Sequence, residues 1–177
     1  WDVDYKISLN GKDYSWSIKA SFANSSLSKP GIRDGGVLQL GKMMKEKMLG
    51  TKDFRSANIF FVRSGREIDF GSYGLYTVDD KINRFWTIEI HFDSKLDELM
   101  GVSNTKQSVD FKYIENKDID SVSLDEEISL GLQRERLWGQ MSEKIRRAIT
   151  DMKKHLAGYA KDFNDKEEAE LAKKERG

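Results

Sequence analysis

Residues 3–22 read V-D-Y-K-I-S-L-N-G-K-D-Y-S-W-S-I-K-A-S-F, and this stretch decides the fold of the chain. Apolar and polar side chains alternate on both sides of Asn10-Gly11, which is the pattern of two antiparallel strands joined by a tight turn. Such a hairpin buries one face and leaves the other in water. The rest of the chain must therefore supply a cover for the apolar face.

Three further segments have the composition of strands. Residues 57–63 are apolar and rich in β-formers, and they end at a Ser-Gly turn, after which a second β-like piece begins at Arg66. Residues 84–92 alternate over nine positions and stop at Asp93-Ser94, which can cap a short helix. The alternation resumes over residues 109–114, where the sequence leaves helix and strand both open.

Helical spacing occupies the stretches between these strands. Residues 25–36, which hold the only proline, have the composition of a loop. Residues 37–49 then repeat apolar side chains every three or four positions and end before Gly50, so they predict a first helix. Residues 95–100 predict a short second helix, which Gly101 ends.

The carboxyl-terminal part has one long amphipathic pattern. Its apolar side chains form a single helical stripe about 40 Å long, made of Leu137, Met141, Ile145, Ile149, Met152, Leu156, Tyr159 and Phe163. A helix with this much apolar surface is unstable alone in water, so it must fold back on the core or pair with a second copy. Beyond about residue 164 the sequence is charged on every side and predicts a frayed or solvated end.

These elements predict an α+β fold with a small, mostly antiparallel sheet, helices on one face, and a long C-terminal amphipathic helix. A length of 177 residues suits one core with an extension rather than two full domains. We assign the core to residues 1–115 and the helical extension to residues 116–177.

Composition excludes several classes of function. Thirty Lys and Arg balance thirty Asp and Glu, so the net charge is zero and direct nucleic-acid binding is not expected. The chain has no cysteine and two histidines, which excludes disulfides, thiolate nucleophiles and Cys-rich or His-rich metal sites. No apolar run approaches the roughly 20 residues of a membrane span, and the start of the chain lacks the features of a signal peptide. We therefore expect a cytoplasmic protein with no membrane contact and no metal site of its own.

The polar residues point to two segments. His91 lies in a predicted strand and His155 on a helix among lysines, so neither is expected to be catalytic. Arg63 and Arg66 follow an apolar strand and could bind a phosphate or a carboxylate; the structural alternative is pairing with nearby carboxylates. Lys106 stands in a short polar loop, and its structural alternative is a solvated connection.

Four motifs then occur in a consistent order: G-K at 41–42, F-F-V-R-S-G-R-E-I at 60–68, R-F-W-T-I-E-I-H-F-D at 84–93 and L-D-E-L-M-G-V-S-N-T-K-Q at 96–107. Over about residues 37–110 this order resembles the second, or transducer, domain of bacterial GHKL ATPases related to MORC proteins. DNA gyrase B, MutL and the heat-shock chaperone ATPases are members of the same superfamily. The resemblance implies the transducer fold shared with a ribosomal-protein domain, including a left-handed βαβ unit.

The resemblance also implies a role for the Lys106 loop. In such proteins a transducer lysine reaches across the domain boundary to the γ-phosphate of ATP, and the matching residue here is Lys106, flanked by Asn104, Thr105 and Gln107. Arg63 and Arg66 are further candidates for phosphate contact. ATP and Mg²⁺ would be held mainly by an upstream GHKL nucleotide-binding domain, and the full-length protein would be a homodimer.

The sequence departs from the family at the nucleotide site itself. The helix with a catalytic Glu and a metal-binding Asn, the Asp-x-Gly-x-Gly turn and the glycine-rich lid are all absent from residues 1–177. We therefore expect no ATP hydrolysis by this chain alone, and the start at Trp1 predicts a piece of a longer polypeptide. The alternative function is a non-enzymatic interaction module that uses the sheet and the C-terminal helix.

Overall fold

The computed structural model describes residues 1–22, 59–77, 83, 86–115 and 127–175, with side chains of the last helix described to residue 156 and at residues 158 and 173. The described strands are β1 (Asp2–Leu9), β2 (Lys12–Phe22), β3 (Ile59–Arg63), β4 (Arg66–Gly71) and β5 (Trp86–Phe92). A 3₁₀ turn (Ser94–Leu96) leads into helix α1 (Asp97–Met100), and helix α2 (Leu130–Glu175) closes the chain. The predicted α+β architecture with its long C-terminal helix is confirmed.

The sheet is mostly antiparallel, with the strand order β1-β2-β5-β3-β4. Strand β5 lies at its centre, antiparallel to β2 and parallel to β3. Its alternate residues are buried, as the period of two predicts, and Ile88 and Ile90 are fully enclosed. The predicted central strand is therefore confirmed from residue 86 onward.

The predicted N-terminal hairpin is also confirmed. Asn10 and Gly11 both have positive φ, at 49° and 70°, which is the geometry of the turn that suits the twist of two strands. The Asn10 side chain also bonds outside the hairpin, because its amide donates to the Ile128 carbonyl and its oxygen accepts from the Ile128 N–H, both at 2.9 Å. The turn is thus attached to the segment that precedes α2.

Helix α2 supplies the cover that the sheet requires. Leu137, Met141, Ile145 and Met152 are fully buried in the core, and Leu156 is partly buried at its margin. Of the two outcomes open to the apolar stripe, the structure shows that this part folds back on the sheet. The helix has 46 residues, about 69 Å at 1.5 Å per residue, and its backbone continues past Leu156 to Glu175.

Residues 109–114 form neither a helix nor a strand. Val109 and Phe111 are buried, so apolar side chains do alternate between the core and the solvent here. The backbone N–H groups, however, donate to separate partners in different parts of the fold. The Val109 N–H donates to Asp69 and the Ile114 N–H to the Ser142 hydroxyl, at 2.9 Å and 3.1 Å. Without a neighbouring strand there is no ladder, and the segment stays irregular.

Several predictions fall outside the described residues. These are the loop at 25–36, the helix at 37–49, the motif at 41–42, and the side chains of Tyr159 and Phe163. Strands β3 and β5 are parallel neighbours, but their connection is described only in part, so the left-handed βαβ unit stays a prediction. Among the described helices, none has the length and apolar character needed to cross a membrane.

Candidate functional site

The four loop residues singled out in the sequence share one exposed turn after α1. Its base is closed by the Ser103 N–H, which donates to the Ser108 carbonyl at 3.1 Å. The Lys106 N–H donates to the Ser103 carbonyl at 2.7 Å, and the Gln107 N–H donates to the Ser103 hydroxyl at 3.2 Å. Lys106 itself has a φ of 54°, a left-handed conformation uncommon for a lysine. The turn is hydrogen-bonded across its base rather than loose.

The Lys106 side chain is exposed at the tip of this turn. Its ammonium makes no ion pair or hydrogen bond within the described part of the chain. Asn104, Thr105 and Gln107 are exposed beside it. The structure therefore brings the four predicted loop residues together and leaves the cation open to an external anion.

Arg63 has a different environment from the one expected of a phosphate ligand. Its Nε and Nη2 donate to the two carboxylate oxygens of Asp97 at 2.6 Å and 2.7 Å, a bidentate pair. The hydrogen bond to Asp97 raises the pKa of the Arg63 guanidinium above its usual value. The pair joins the end of β3 to the start of α1. Arg63 therefore pairs with a carboxylate, as the structural alternative for this residue predicted. Arg66 is exposed at the turn that follows.

Helix α1 is held by α2 as well as by β3. The Arg134 guanidinium donates through Nε and Nη2 to the Glu98 carbonyl at 3.1 Å and 2.7 Å. The buried Trp138 indole donates to the Leu99 carbonyl at 3.0 Å. The Glu98 carbonyl also accepts from the Gly101 N–H at 3.3 Å, so the two side chains of α2 add donors to the last turn of α1, where helical carbonyls lack a full set of partners.

Sequence reasoning missed Asp97, Arg134 and Trp138 as parts of this site. Each lies more than 30 residues from its partner, and no local period reports such a pairing. The one usable signal was the shortness of the predicted helix, because its carbonyls would need donors from elsewhere.

The Lys106 turn is fixed to α1 through Gly101. Gly101 ends α1 with a φ of 59°, and the Asp110 N–H donates back to the Met100 carbonyl at 2.9 Å. A Cβ at position 101 would lie 2.6 Å from the Asp110 Cβ, well inside contact distance. The site therefore requires glycine here for both backbone conformation and space.

Replacement of Gly101 with alanine is expected to lower the free energy of unfolding by about 2–3 kcal/mol, because the left-handed conformation and the Asp110 contact both oppose a side chain. Urea unfolding would measure the loss. Gly11→Ala is the matched control: Gly11 also has a positive φ, but a Cβ there would meet nothing within 4 Å. Equal losses in the two variants would contradict the role of the Asp110 contact.

A cleft lies beside α2. This cleft of about 410 Å³ is lined by Tyr113, Ile114, Glu115, Glu143, Arg146, Arg147 and Thr150. Arg146 donates to the Tyr113 hydroxyl at 2.8 Å. Two arginines and two glutamates balance in charge, so the cleft has no preference for an anion or a cation.

The described residues contain no group of three His, Asp or Glu side chains that could hold a metal ion. Comparison of the chain with protein-family models, with curated proteins and with solved structures finds no match.

Proposed function

We propose that the chain is a coupling module of the transducer type. Lys106 contacts the terminal phosphate of ATP held by a separate GHKL nucleotide-binding domain, and α2 carries the response. One observation supports this above all: the Lys106 turn and α2 are both attached to the same one-turn helix, α1. A displacement of the turn cannot leave α1, and therefore α2, unaffected.

The chemistry of Lys106 suits such contact. An ammonium on a flexible stem is a compact charge that binds a phosphate without a fixed angle, and its contact ends when the γ-phosphate leaves. The absence of an ion-pair partner within the described residues means that no protein salt bridge there has to break first. One side chain would thereby report whether ATP or ADP is bound.

The connection through α1 suits transmission. The Arg63–Asp97 pair attaches the start of α1 to the sheet, while Arg134 and Trp138 attach its end to α2. The turn is short and its base is hydrogen-bonded, so a force on Lys106 reaches α1 rather than dissipating in a loose loop. Interlocked packing of this kind moves as a unit.

The fit of ATP and Mg²⁺ to the chain itself is poor. Among the described residues there is an exposed ammonium for one phosphate but no acidic cluster for Mg²⁺. The nucleotide and its metal are therefore assigned to the other domain, and Lys106 to contact with the γ-phosphate. Arg66 is exposed and remains a candidate for a second phosphate contact.

The alternative is a non-enzymatic interaction module. Two of the four large apolar side chains that are exposed in the described residues, Trp1 and Val3, support it, because they lie close together at the start of β1. Neighbouring exposed apolar side chains are typical of an interface.

The coupling proposal predicts that the isolated chain neither hydrolyses ATP nor binds it well. A single ammonium contact in open water supports a dissociation constant of about 1 mM at best. Isothermal titration with MgATP, together with a phosphate-release assay, would measure both. Micromolar binding with turnover by the 177-residue chain would overturn the assignment.

A further inference from the structure

Among the described strands, β1 forms one edge of the sheet and has a hydrogen-bonded neighbour on one side only, β2. Its eight residues pair with β2 without a register shift, from Asp2 opposite Lys19 to Leu9 opposite Lys12. The opposite edge differs, because β4 is shorter and its pairing with β3 contains an irregularity. Of the usual protections of an edge, β1 lacks proline, a bulge and short length, and it carries charged side chains at Asp2, Asp4 and Lys6.

The backbone groups that face outward from β1 can be identified. The Ala20 N–H donates to the Trp1 carbonyl at 2.8 Å. The backbone N–H and C=O groups that point toward β2 are therefore those of every second residue counted from Trp1. The outward N–H and C=O groups are then those of Asp2, Asp4, Lys6 and Ser8. Gln140 provides an independent check, since its Nε2 reaches the Lys6 carbonyl from outside the ladder at 3.2 Å.

The side chains of β1 are complementary to themselves in one antiparallel register. With Tyr5 opposite Tyr5 of a second copy, Asp4 lies opposite Lys6 of that copy, and Lys6 lies opposite its Asp4. Opposite charges in direct cross-strand positions stabilise a pair of strands, and like charges destabilise it. A shift by two residues would place Lys6 opposite Lys6 or Asp4 opposite Asp4, so charge selects this register.

The apolar side chains of β1 match in the same register. Val3 would lie opposite Ile7 of the second copy, and Trp1 opposite its Leu9. Val3 is 36% exposed and Trp1 45% exposed in the single chain, although both are on the face that carries the core. Pairing would therefore cover two of the exposed large apolar side chains without disturbing a buried one.

We propose that β1 is a dimerisation edge, which pairs antiparallel with β1 of a second copy of this chain in the register that centres on Tyr5. The result is one continuous sheet through both copies. Because the two-fold axis is perpendicular to the sheet, both α2 helices lie on the same face. This assigns a surface and a register, and it goes beyond the proposed coupling function.

The backbone supports the pairing with four hydrogen-bonded residue pairs and about eight hydrogen bonds, two for each pair. Gln140 already donates to one of the acceptors, the Lys6 carbonyl. A carbonyl oxygen has two lone pairs, so the Lys6 carbonyl can accept a second donor from the other copy beside the Gln140 amide.

Sedimentation velocity of the 177-residue chain over about 1–200 µM, without nucleotide, tests the proposal. We expect a concentration-dependent dimer. Asp4→Lys and Lys6→Asp should each weaken it at least about tenfold, because each creates like-charge pairs across the interface. The double variant Asp4→Lys/Lys6→Asp should restore it. Within the chain both residues lie opposite serines, Ser17 and Ser15, so the reversals leave the hairpin intact.

Asp4→Pro provides a second probe that does not depend on charge. It removes an outward N–H that β2 does not use, so thermal unfolding should stay close to that of the unchanged chain while the dimer weakens about tenfold or more. A chain that stays monomeric throughout would overturn the proposal. So would a dimer unaffected by these variants, or one that the single reversals weaken and the double variant does not restore.

Discussion

Under the proposed coupling function, replacement of Lys106 with alanine is expected to slow ATP hydrolysis about a hundredfold or more in a protein that joins this chain to a GHKL nucleotide-binding domain. The reason is electrostatic: a γ-phosphate charge would be left uncompensated in a closed, water-poor site, and such a contact contributes about 3 kcal/mol to transition-state stabilisation. The measurement is steady-state phosphate release at saturating ATP.

The fold should survive this change. The Lys106 side chain is exposed and fills no part of the core, so its removal should alter the free energy of unfolding by no more than about 0.5 kcal/mol. Arg63→Ala gives the opposite pattern. It leaves Asp97 without its bidentate partner, so its effect on the melting temperature should be larger than its effect on the rate of ATP hydrolysis.

Removal of the chain after Glu115 is expected to abolish the native fold. It deletes five buried Leu, Ile and Met side chains of α2, among them Leu137, Met141 and Met152. At about 1.5–3 kcal/mol for each, their contribution is comparable to the whole stability of a domain, about 5–15 kcal/mol. We expect aggregation, which light scattering would detect, and loss of the cooperative thermal transition.

A cut after Leu156 is the matched control. It keeps every side chain of α2 that is described as buried, and it keeps the Gln140 contact with the Trp16 indole at 2.9 Å. This shorter chain should unfold at nearly the same temperature as the full one. A cooperative, equally stable monomer from residues 1–115 would contradict the account of α2 as a part of the core.

The elements that the sequence predicted well are those with a local cause. The turn at Asn10-Gly11 requires only two residues that tolerate positive φ. The alternation of buried and less buried side chains in β5 requires only that one face of the sheet be nearer to the solvent. Asp93 acts as a cap as predicted, since its carboxylate accepts from the Lys95 N–H at 2.8 Å, but it caps the 3₁₀ turn, and α1 begins only at Asp97. Gly101 ended that helix as expected.

The parts that the sequence did not reveal depend on distant partners. Asn10 suits its turn, yet its reciprocal bonds to Ile128 span 118 positions. The sequence left Arg63 open to a phosphate or a carboxylate, and the carboxylate that it binds, Asp97, lies 34 positions away. Polar pairing over such distances is set by the packed fold, which a local period does not encode.

The Lys106 loop was found by resemblance, and the structure adds its exposure and its attachment to α1. Its connection to α2 rests on Arg134 and Trp138, neither of which a motif singled out. The proposed coupling would depend on these connections as much as on the contact of Lys106 with phosphate.

The most direct test of the coupling proposal compares two lysines in a protein that joins this chain to a GHKL nucleotide-binding domain. Lys112, six positions after Lys106, is also exposed but lies beyond the turn, so Lys112→Ala removes the same charge at a different place. Turnover of Lys112→Ala divided by turnover of Lys106→Ala should be about one hundred or more, at matched melting temperatures. A ratio near one, with Lys106→Ala as fast as the unchanged protein, would contradict the account. The loop would then be a solvated connection without a role in ATP hydrolysis.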